Sequence, residues 1–585
     1  MDQKRLMLAI ALSVAILVVF QMLLPHPVKP PVPTEATTTA ATAGAPGAAP
    51  GALPATPAAV PDAEARDAPR LKIAGPRVQG SINLLGARFD DLVLRDYHDT
   101  IDPTSPLVQV LVPRVDKFPN FVQFGWSAPA GTADKLPDST TLWQADGDLV
   151  GPGKPVTLHW DNGAGLTFEL AVTVDDNFMF NVVQRVRNAT GAPVALFPWS
   201  RVSRDYTPVV AGTYVLHEGL VGWFADRLQE QKYAAAKTES VKNANDPEDP
   251  GFSLRGDGTS GWAGITDKYW LTALVPDQAV PTRMVYRHST AGGGDSYQVY
   301  ARPLKALEVP PGGSAEQASR MFAGAKEVRL LNHYEEQGGI VNFSYAVDWG
   351  WFFFLTKPFF LALDWLNSLF HNFGVAILVF TVLLKGLFFP LANYSYRSMS
   401  KMKLLGPKMT ALREQYKDEP AKLQSAMMGL YKQEKVNPAS GCLPMLIQIP
   451  VFFSLYKVIY TTIEMRHAPF FGWIHDLSAI DPTNVFNLFG LIPFDPGTIT
   501  PFLHLGVWPL IMGATMFFQQ KLNPPPPDPV QAKVFQFMPL IFTFMLASFP
   551  AGLVIYWSWN NTLTIGQQWL IMRRTHLSKP SLAKV

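Results

Sequence analysis

The chain changes its hydrophobic pattern several times along its length. Residues 6–24 are almost wholly apolar behind Lys4 and Arg5, long enough to cross a bilayer as a helix. Residues 25–69 are rich in Pro, Ala and Thr with few large apolar side chains. Such a segment cannot bury enough surface to fold, so it reads as an extended tether. From 70 to 345 apolar and polar positions alternate in short runs, at 107–112, 121–126, 156–160, 166–174 and 178–186. Turn residues such as Asp161, Gly163, Asp175 and Asn177 separate them. This spacing predicts a large β-sandwich. Within it, the charged stretch 226–242 reads as a loop or short helices, and 315–331 as a terminal helix.

The remaining chain is mostly apolar. Residues 346–372 are dense in Trp and Phe, punctuated by Lys357 and Asp364, which suits an amphipathic helix at headgroup level. Five apolar runs follow, at 373–391, 443–463, 502–518, 535–549 and 552–572. Together with 6–24 they predict a multi-domain membrane protein with six transmembrane helices and a large β-sandwich. The core then covers 373–572 and a basic tail covers 573–585. Residues 535–549 are short for a span, which predicts a locally thinned bilayer. Inside the core, at 394–440, Met402, Leu405, Met409 and Leu412 recur at spacings of three and four. Leu423, Met427 and Leu430 repeat the pattern beyond Pro420. That predicts two amphipathic helices folded back as a coiled-coil hairpin, ended by Asn437-Pro438.

Charge sets the orientation. The hairpin segment carries many Lys and Arg, whereas 464–500 holds Arg466 as its one fixed cation. Positive loops stay inside, so the hairpin and both termini are expected in the cytoplasm. Residues 25–345 are then expected outside, in the periplasm of a cell with two membranes. A cleaved signal peptide is the rival reading of the first run; the run is long for one, and an uncleaved anchor is favoured. The 585 residues carry a net charge of only +2, so no global field marks a nucleic-acid binder. The basic hairpin faces could meet ribosomal RNA or an acidic partner, or could simply be solvated. The single cysteine, Cys442, excludes an internal disulfide framework and any multi-cysteine metal site.

The chemistry converges on Lys385, the one full charge in 373–391. A charge at mid-membrane costs about 2.5–3.5 kcal/mol on insertion scales, so an intramembrane ion is a functional candidate by default. The plain alternative is a lysine snorkelling to the cytoplasmic headgroups. Thr381 on the same run, Gln448, and Asn560, Asn561, Thr562, Thr564 and Gln567 on the last run also need partners in hydrocarbon. A wet cavity around Lys385 would accommodate lysine and amides together. Lys457 lies towards the outer end of its run and reads as a snorkeller. The β-region offers little chemistry. Gly151-Pro-Gly-Lys154 lacks phosphate-loop spacing, and His159, His217 and His288 stand alone. A sugar site there would rest on fold analogy alone.

Several stretches resemble the YidC/Oxa/Alb family of bacterial membrane protein insertases, in its Gram-negative form. They are Leu384-Lys-Gly-Leu-Phe-Phe-Pro-Leu391, Lys435-Val-Asn-Pro438 through Gly441-Cys-Leu-Pro444, Leu446-Ile-Gln-Ile-Pro450, Trp473-Ile-His-Asp-Leu-Ser478, Met516-Phe-Phe-Gln-Gln-Lys521, Phe537-Met-Pro-Leu-Ile-Phe-Thr543 and Phe549-Pro-Ala-Gly-Leu-Val-Ile-Tyr556. Their order and spacing fit from about residue 348 to the C-terminus. The resemblance implies a periplasmic β-supersandwich and a groove among the core spans that receives polar parts of a nascent membrane protein. Lys385 stands where the family usually has arginine; lysine keeps the charge and loses the bidentate fork. Thr381, Gln448, Met545, Tyr556 and Trp557 would face the groove or the substrate helix, Trp557 where a tyrosine is common. No cofactor, metal or enzymatic step is implied. The partners implied are nascent membrane proteins, the ribosome, the Sec translocon, the signal recognition particle pathway and the lipid bilayer of the inner membrane. Two other classes remain open on the residues alone. One is a secondary transporter with a buried lysine, although no internal repeat is visible. The other is a membrane-anchored periplasmic carbohydrate-binding protein.

Overall fold

The computed structural model describes residues 67–129, 135–210, 216–290, 294–417, 419–434, 443–494, 496, 499, 503–523 and 529–577. The expected anchor at 1–24, nearly all of the tether at 25–69 and the end of the basic tail lie outside them. The chain divides into two units, with the boundary between Asp348 and Trp349.

The first unit is a sandwich of an eleven-stranded and a nine-stranded sheet among the described residues. Its strands form where the alternation demands. Leu166–Val174 and Met179–Asn188 pair antiparallel with Val182 opposite Val172, so branched side chains meet across the ladder. In the other sheet Val194–Arg204 lies between Asn120–Ser127 and Ser296–Pro303, with Val202 opposite both Val122 and Val299. The sheets meet through aromatic rings: Phe89 packs edge-on against Phe124 at 5.6 Å and against Phe180 of the facing sheet at 6.0 Å. Each fully buried phenylalanine contributes about 1.5–3 kcal/mol.

Two readings change here. The expected helix at 315–331 is the strand Ser314–Ala325, followed by helix α2 (Val328–Glu336). Its residues have helical propensity, but the strand is paired on both sides, by Met179–Asn188 and Trp270–Pro276; tertiary pairing outweighs a weak local preference. The stretch 226–242 splits into the strand Arg227–Gln231 and a single helix, α1 (Tyr233–Lys242). Buried Arg204 is held by Asp267 through two hydrogen bonds, of 2.6 and 2.8 Å, and donates to the Tyr233 hydroxyl at 2.8 Å.

The second unit is helical. The aromatic segment forms α3 (Phe353–Phe370), which exposes Phe354, Trp365 and Leu369. His371 ends it in a left-handed conformation, and the Asn372 side chain caps α4 (Phe373–Leu387) by accepting from Val375 N at 3.0 Å. The expected span 373–391 is broken. It continues as α5 (Phe389–Leu404), and the pair bends by 66° at Phe388. Pro390 supplies the reason: it has no N–H to offer the preceding turn, and its ring would crowd the carbonyl four residues back, at Gly386.

Helices α6 (Gly406–Gln415) and α7 (Pro420–Gln433) form the expected hairpin. Leu405, Met409, Leu430 and Tyr431 make its seam, with Met402, Leu412 and Met427 against them. Lys408 closes it on Glu434 at 2.6 Å. The other apolar runs become α8 (Leu443–Thr461), α9 (Val507–Leu522), α10 (Pro529–Leu546) and α11 (Ala551–Leu577). Among the described residues no single helix is long and apolar enough to cross a membrane; α4 with the start of α5 is the one bent pair that passes together. Lys457, expected to snorkel, is only 7 % exposed. Its stem is wedged beside Gly350, where an added Cβ would sit 3.2 Å from Cε.

Candidate functional site

The bend between α4 and α5 opens a pocket of about 550 Å³, counting its mouth, lined by residues of α4, α5, α8 and α11. Each helix contributes one face. On α4, Thr381, Leu384 and Lys385, continued by Phe388 at the break, follow the spacing of one helical stripe. On α8 the stripe is Pro444, Ile447, Gln448 and Val451, and on α11 it is Tyr556, Asn560 and Gln567. Leu391, Ala392 and Tyr396 of α5 complete the wall.

The polar groups of this pocket differ in how far their hydrogen bonds are already used. Thr381 is buried and donates back to Ile377 O at 2.6 Å. Thr564 likewise donates to Asn560 O at 2.7 Å and keeps its oxygen as an acceptor. Lys385 uses that oxygen: Nζ donates to Thr564 Oγ1 at 2.8 Å, its one hydrogen bond among the described residues. An ammonium has three protons to give, so two remain for whatever enters. Gln448 Nε2 donates to the buried Tyr556 hydroxyl at 2.6 Å and ties α8 to α11. Gln567 Oε1 is buried without a partner among the described residues. Among the described residues no Asp or Glu lines the pocket, so its field is that of one cation in a mostly apolar space.

Four of the six residues singled out from sequence therefore come together here: Lys385, Thr381, Gln448 and Tyr556. Met545 and Trp557 do not line the pocket. Trp557 follows Tyr556 by one residue, roughly 100° round the helix, and packs edge-on against Phe452 at 4.6 Å and beside Phe542 at 6.1 Å. Met545 lies on α10 and is 41 % exposed. Asn560 and Gln567, read from sequence as amides that a cavity around Lys385 would accommodate, also line the pocket. Tyr396 had no sequence signal, because it reaches the site only through the bend.

Residues 365–579 match the family described as 60Kd inner membrane protein, and residues 70–362 match the YidC periplasmic domain. The chain is 58 % identical to the membrane protein insertase YidC of Granulibacter bethesdensis, over all of both chains. It is 53 % identical to the insertase of the same name from Acidiphilium cryptum, over all of this chain and 99 % of that one. Among solved structures, an active YidC insertase with its first transmembrane domain resolved aligns over 89 % of this chain and 94 % of its own. That alignment has 16 % identity and a TM-score of 0.35.

Proposed function

Because this chain belongs to the YidC family of membrane protein insertases, we propose that the pocket at the α4–α5 bend is where it receives the polar part of a client. The chain is an inner-membrane insertase and not an enzyme. A short polar or acidic segment enters beside Lys385, while its apolar helix passes along the exposed faces of the core into lipid. Partitioning of that helix supplies about 25 cal/mol per Å² of apolar surface. With the outside positive, the potential favours export of each negative charge by about 2.3 kcal/mol per 100 mV. No nucleotide is needed, and no phosphate loop is present in the sequence.

The single observation that carries this reading is the half-spent ammonium of Lys385, held by Thr564 alone among the described residues, in a pocket free of acids. The finer topology belongs to the same proposal: an anchor at 1–24, a tether to a periplasmic domain at 70–345, an interfacial helix at 346–372, a five-span core at 373–572 and cytoplasmic termini. So do the ribosome, the Sec translocon and the signal recognition particle pathway as partners, for which the basic hairpin faces are the candidate surface. The transporter and carbohydrate-binding readings have no comparable support.

Photocrosslinkers at Gln448 and Asn560 test the pocket. Both should capture ribosome-bound nascent chains of membrane proteins, and capture should weaken at Trp557, which faces an aromatic cluster instead. Silence at both pocket positions, with capture only at exposed Trp365 of α3, would overturn the placement.

A further inference from the structure

Between α8 and α9 the chain carries an apolar loop that the insertion reading does not use. Residues 485–494 read Val-Phe-Asn-Leu-Phe-Gly-Leu-Ile-Pro-Phe and contain no charge. Phe486, Leu488, Phe489, Leu491, Ile492 and Phe494 are all exposed, Leu491 to 83 %. We propose that this loop is a lipid-contact element that seats its apolar side chains in the outer leaflet of the bilayer.

Three observations support that occupant. The first is backbone satisfaction. A segment entering lipid must pair its own polar backbone, because the hydrocarbon offers no partners. Here Phe489 N donates to Asn484 O at 2.9 Å, Ile492 N to Asn487 O at 3.1 Å and Leu491 N to Leu488 O at 3.3 Å. The Asn484 and Asn487 side chains accept from Phe486 N and Gly490 N, at 3.0 and 2.9 Å. The second is conformation. Leu488 and Phe489 are consecutively left-handed, at φ +51° and +60°, a state bulky residues rarely adopt. Such strain persists only where the surroundings impose it, and here both residues end up exposed.

The third is the foundation. Buried Asp481 accepts from Trp473 Nε1 at 3.1 Å, Thr483 N at 3.0 Å and Trp508 N at 2.8 Å, the last at the start of α9. Val485 N then pairs with Leu505 O, and Asn484 Nδ2 with Leu503 O, both at 2.9 Å. The loop is thus held at the start of α9, within the residues that match an inner-membrane protein family. A water-facing loop fixed this firmly gains nothing from six large apolar side chains; a bilayer accepts them.

The inference rests on the membrane-spanning reading, and the test separates the two. Full-length protein with Cys442→Ser carries one environment-sensitive fluorophore, at Leu491→Cys or, as control, at Leu387→Cys on α4. It is reconstituted into phosphatidylethanolamine–phosphatidylglycerol vesicles with or without nitroxide-labelled phospholipid. The expected result is blue-shifted emission at residue 491 and loss of intensity with the nitroxide lipid. Quenching at 387 with water-like, iodide-accessible emission at 491 overturns the loop proposal alone. Protection of 491 from both iodide and nitroxide lipid also overturns it, because protein then covers the loop. No lipid quenching at 387 defeats the spanning reading and this one with it.

Discussion

Replacing Lys385 by methionine isolates what its charge contributes. Methionine keeps much of the stem and removes the ammonium. The fold should tolerate it, because the Thr564 hydroxyl proton is already given to Asn560 O and only an acceptor is left open. The magnitude follows from the distance at which a client carboxylate can approach, about 4 Å. Two unit charges there attract by about 4 kcal/mol at an effective dielectric of 20 and by about 1 kcal/mol in bulk water. That range corresponds to about 5-fold to about a thousand-fold in rate. The pocket has an open mouth and a mixed wall of apolar and amide side chains, so the loss should fall between the limits, about 10- to 100-fold for clients with acidic translocated segments. Clients with neutral segments should lose less than about 3-fold, since no ion pair forms with them. Lys385→Arg should stay close to the parent for both classes, because charge and not lysine chemistry is required. The assay is insertion of matched acidic and neutral clients into proteoliposomes, read by protease protection. Equal loss for both classes would refute the electrostatic role, and an inactive Arg variant would point to chemistry specific to lysine.

Other outcomes follow from the same contacts. Tyr556→Phe removes the acceptor for Gln448 Nε2 and should lower core stability by about 1 kcal/mol, measured as a shift in the thermal midpoint of the detergent-solubilised protein. In the β-domain, Asp267→Ala strands buried Arg204. A loss of about 3 kcal/mol, the lower end for a broken buried pair, should appear in urea unfolding because Asp267 is partly solvated. The double variant Arg204→Met with Asp267→Ala should recover part of that loss. His217 is buried, and burial pushes its pKa below the ordinary 6.5 despite the bond to Leu220 O. The unfolded chain then binds the extra proton first, so this histidine weakens the β-domain as pH falls below about 6.5; His217→Gln should flatten the dependence of unfolding midpoint on pH over that window.

The β-strands were legible because burial on one face imposes a period of two, and that period survives without any partner in view. The hairpin was legible for the same reason at helical spacing, with Leu405, Met409 and Leu430 all in the seam. The strand Ser314–Ala325 was not. Its outer half alternates small and polar residues that suit a helix equally well, and only its two neighbours decide the matter. At the pocket, Lys385, Thr381 and Gln448 declared themselves as polar groups in apolar runs. Tyr396 could not, because its approach depends on a 66° bend, and a proline in an apolar run does not tell the reader which way the chain turns. Met545 and Trp557 were carried over by position along their helices. One residue of phase separates Tyr556 from Trp557, and that step decides which side chain meets the pocket and which meets Phe452.

If the pocket receives a client as proposed, its unused hydrogen-bonding capacity bears on how that client is released. Thr381 and Thr564 spend their protons on their own helices, and Gln448 gives one of its two amide protons to Tyr556. On the proposed reading, what remains for a client is two ammonium protons of Lys385 and the amide groups of Gln448 and Asn560 that are not already bonded. A receptor evolved for retention would surround a carboxylate with several charge-assisted bonds at about 1.5–3 kcal/mol each. This pocket offers one mobile point charge and a mouth open to exchange. The break at Phe388 also places that charge beside the turn where the helix ladder is already interrupted by Pro390. The same proline that shortens the span therefore lies beside the space into which the cation opens. Weak, wet and single-charged attraction is what a transient docking point requires, because the client's apolar helix, and not its polar end, must determine where the chain finally rests.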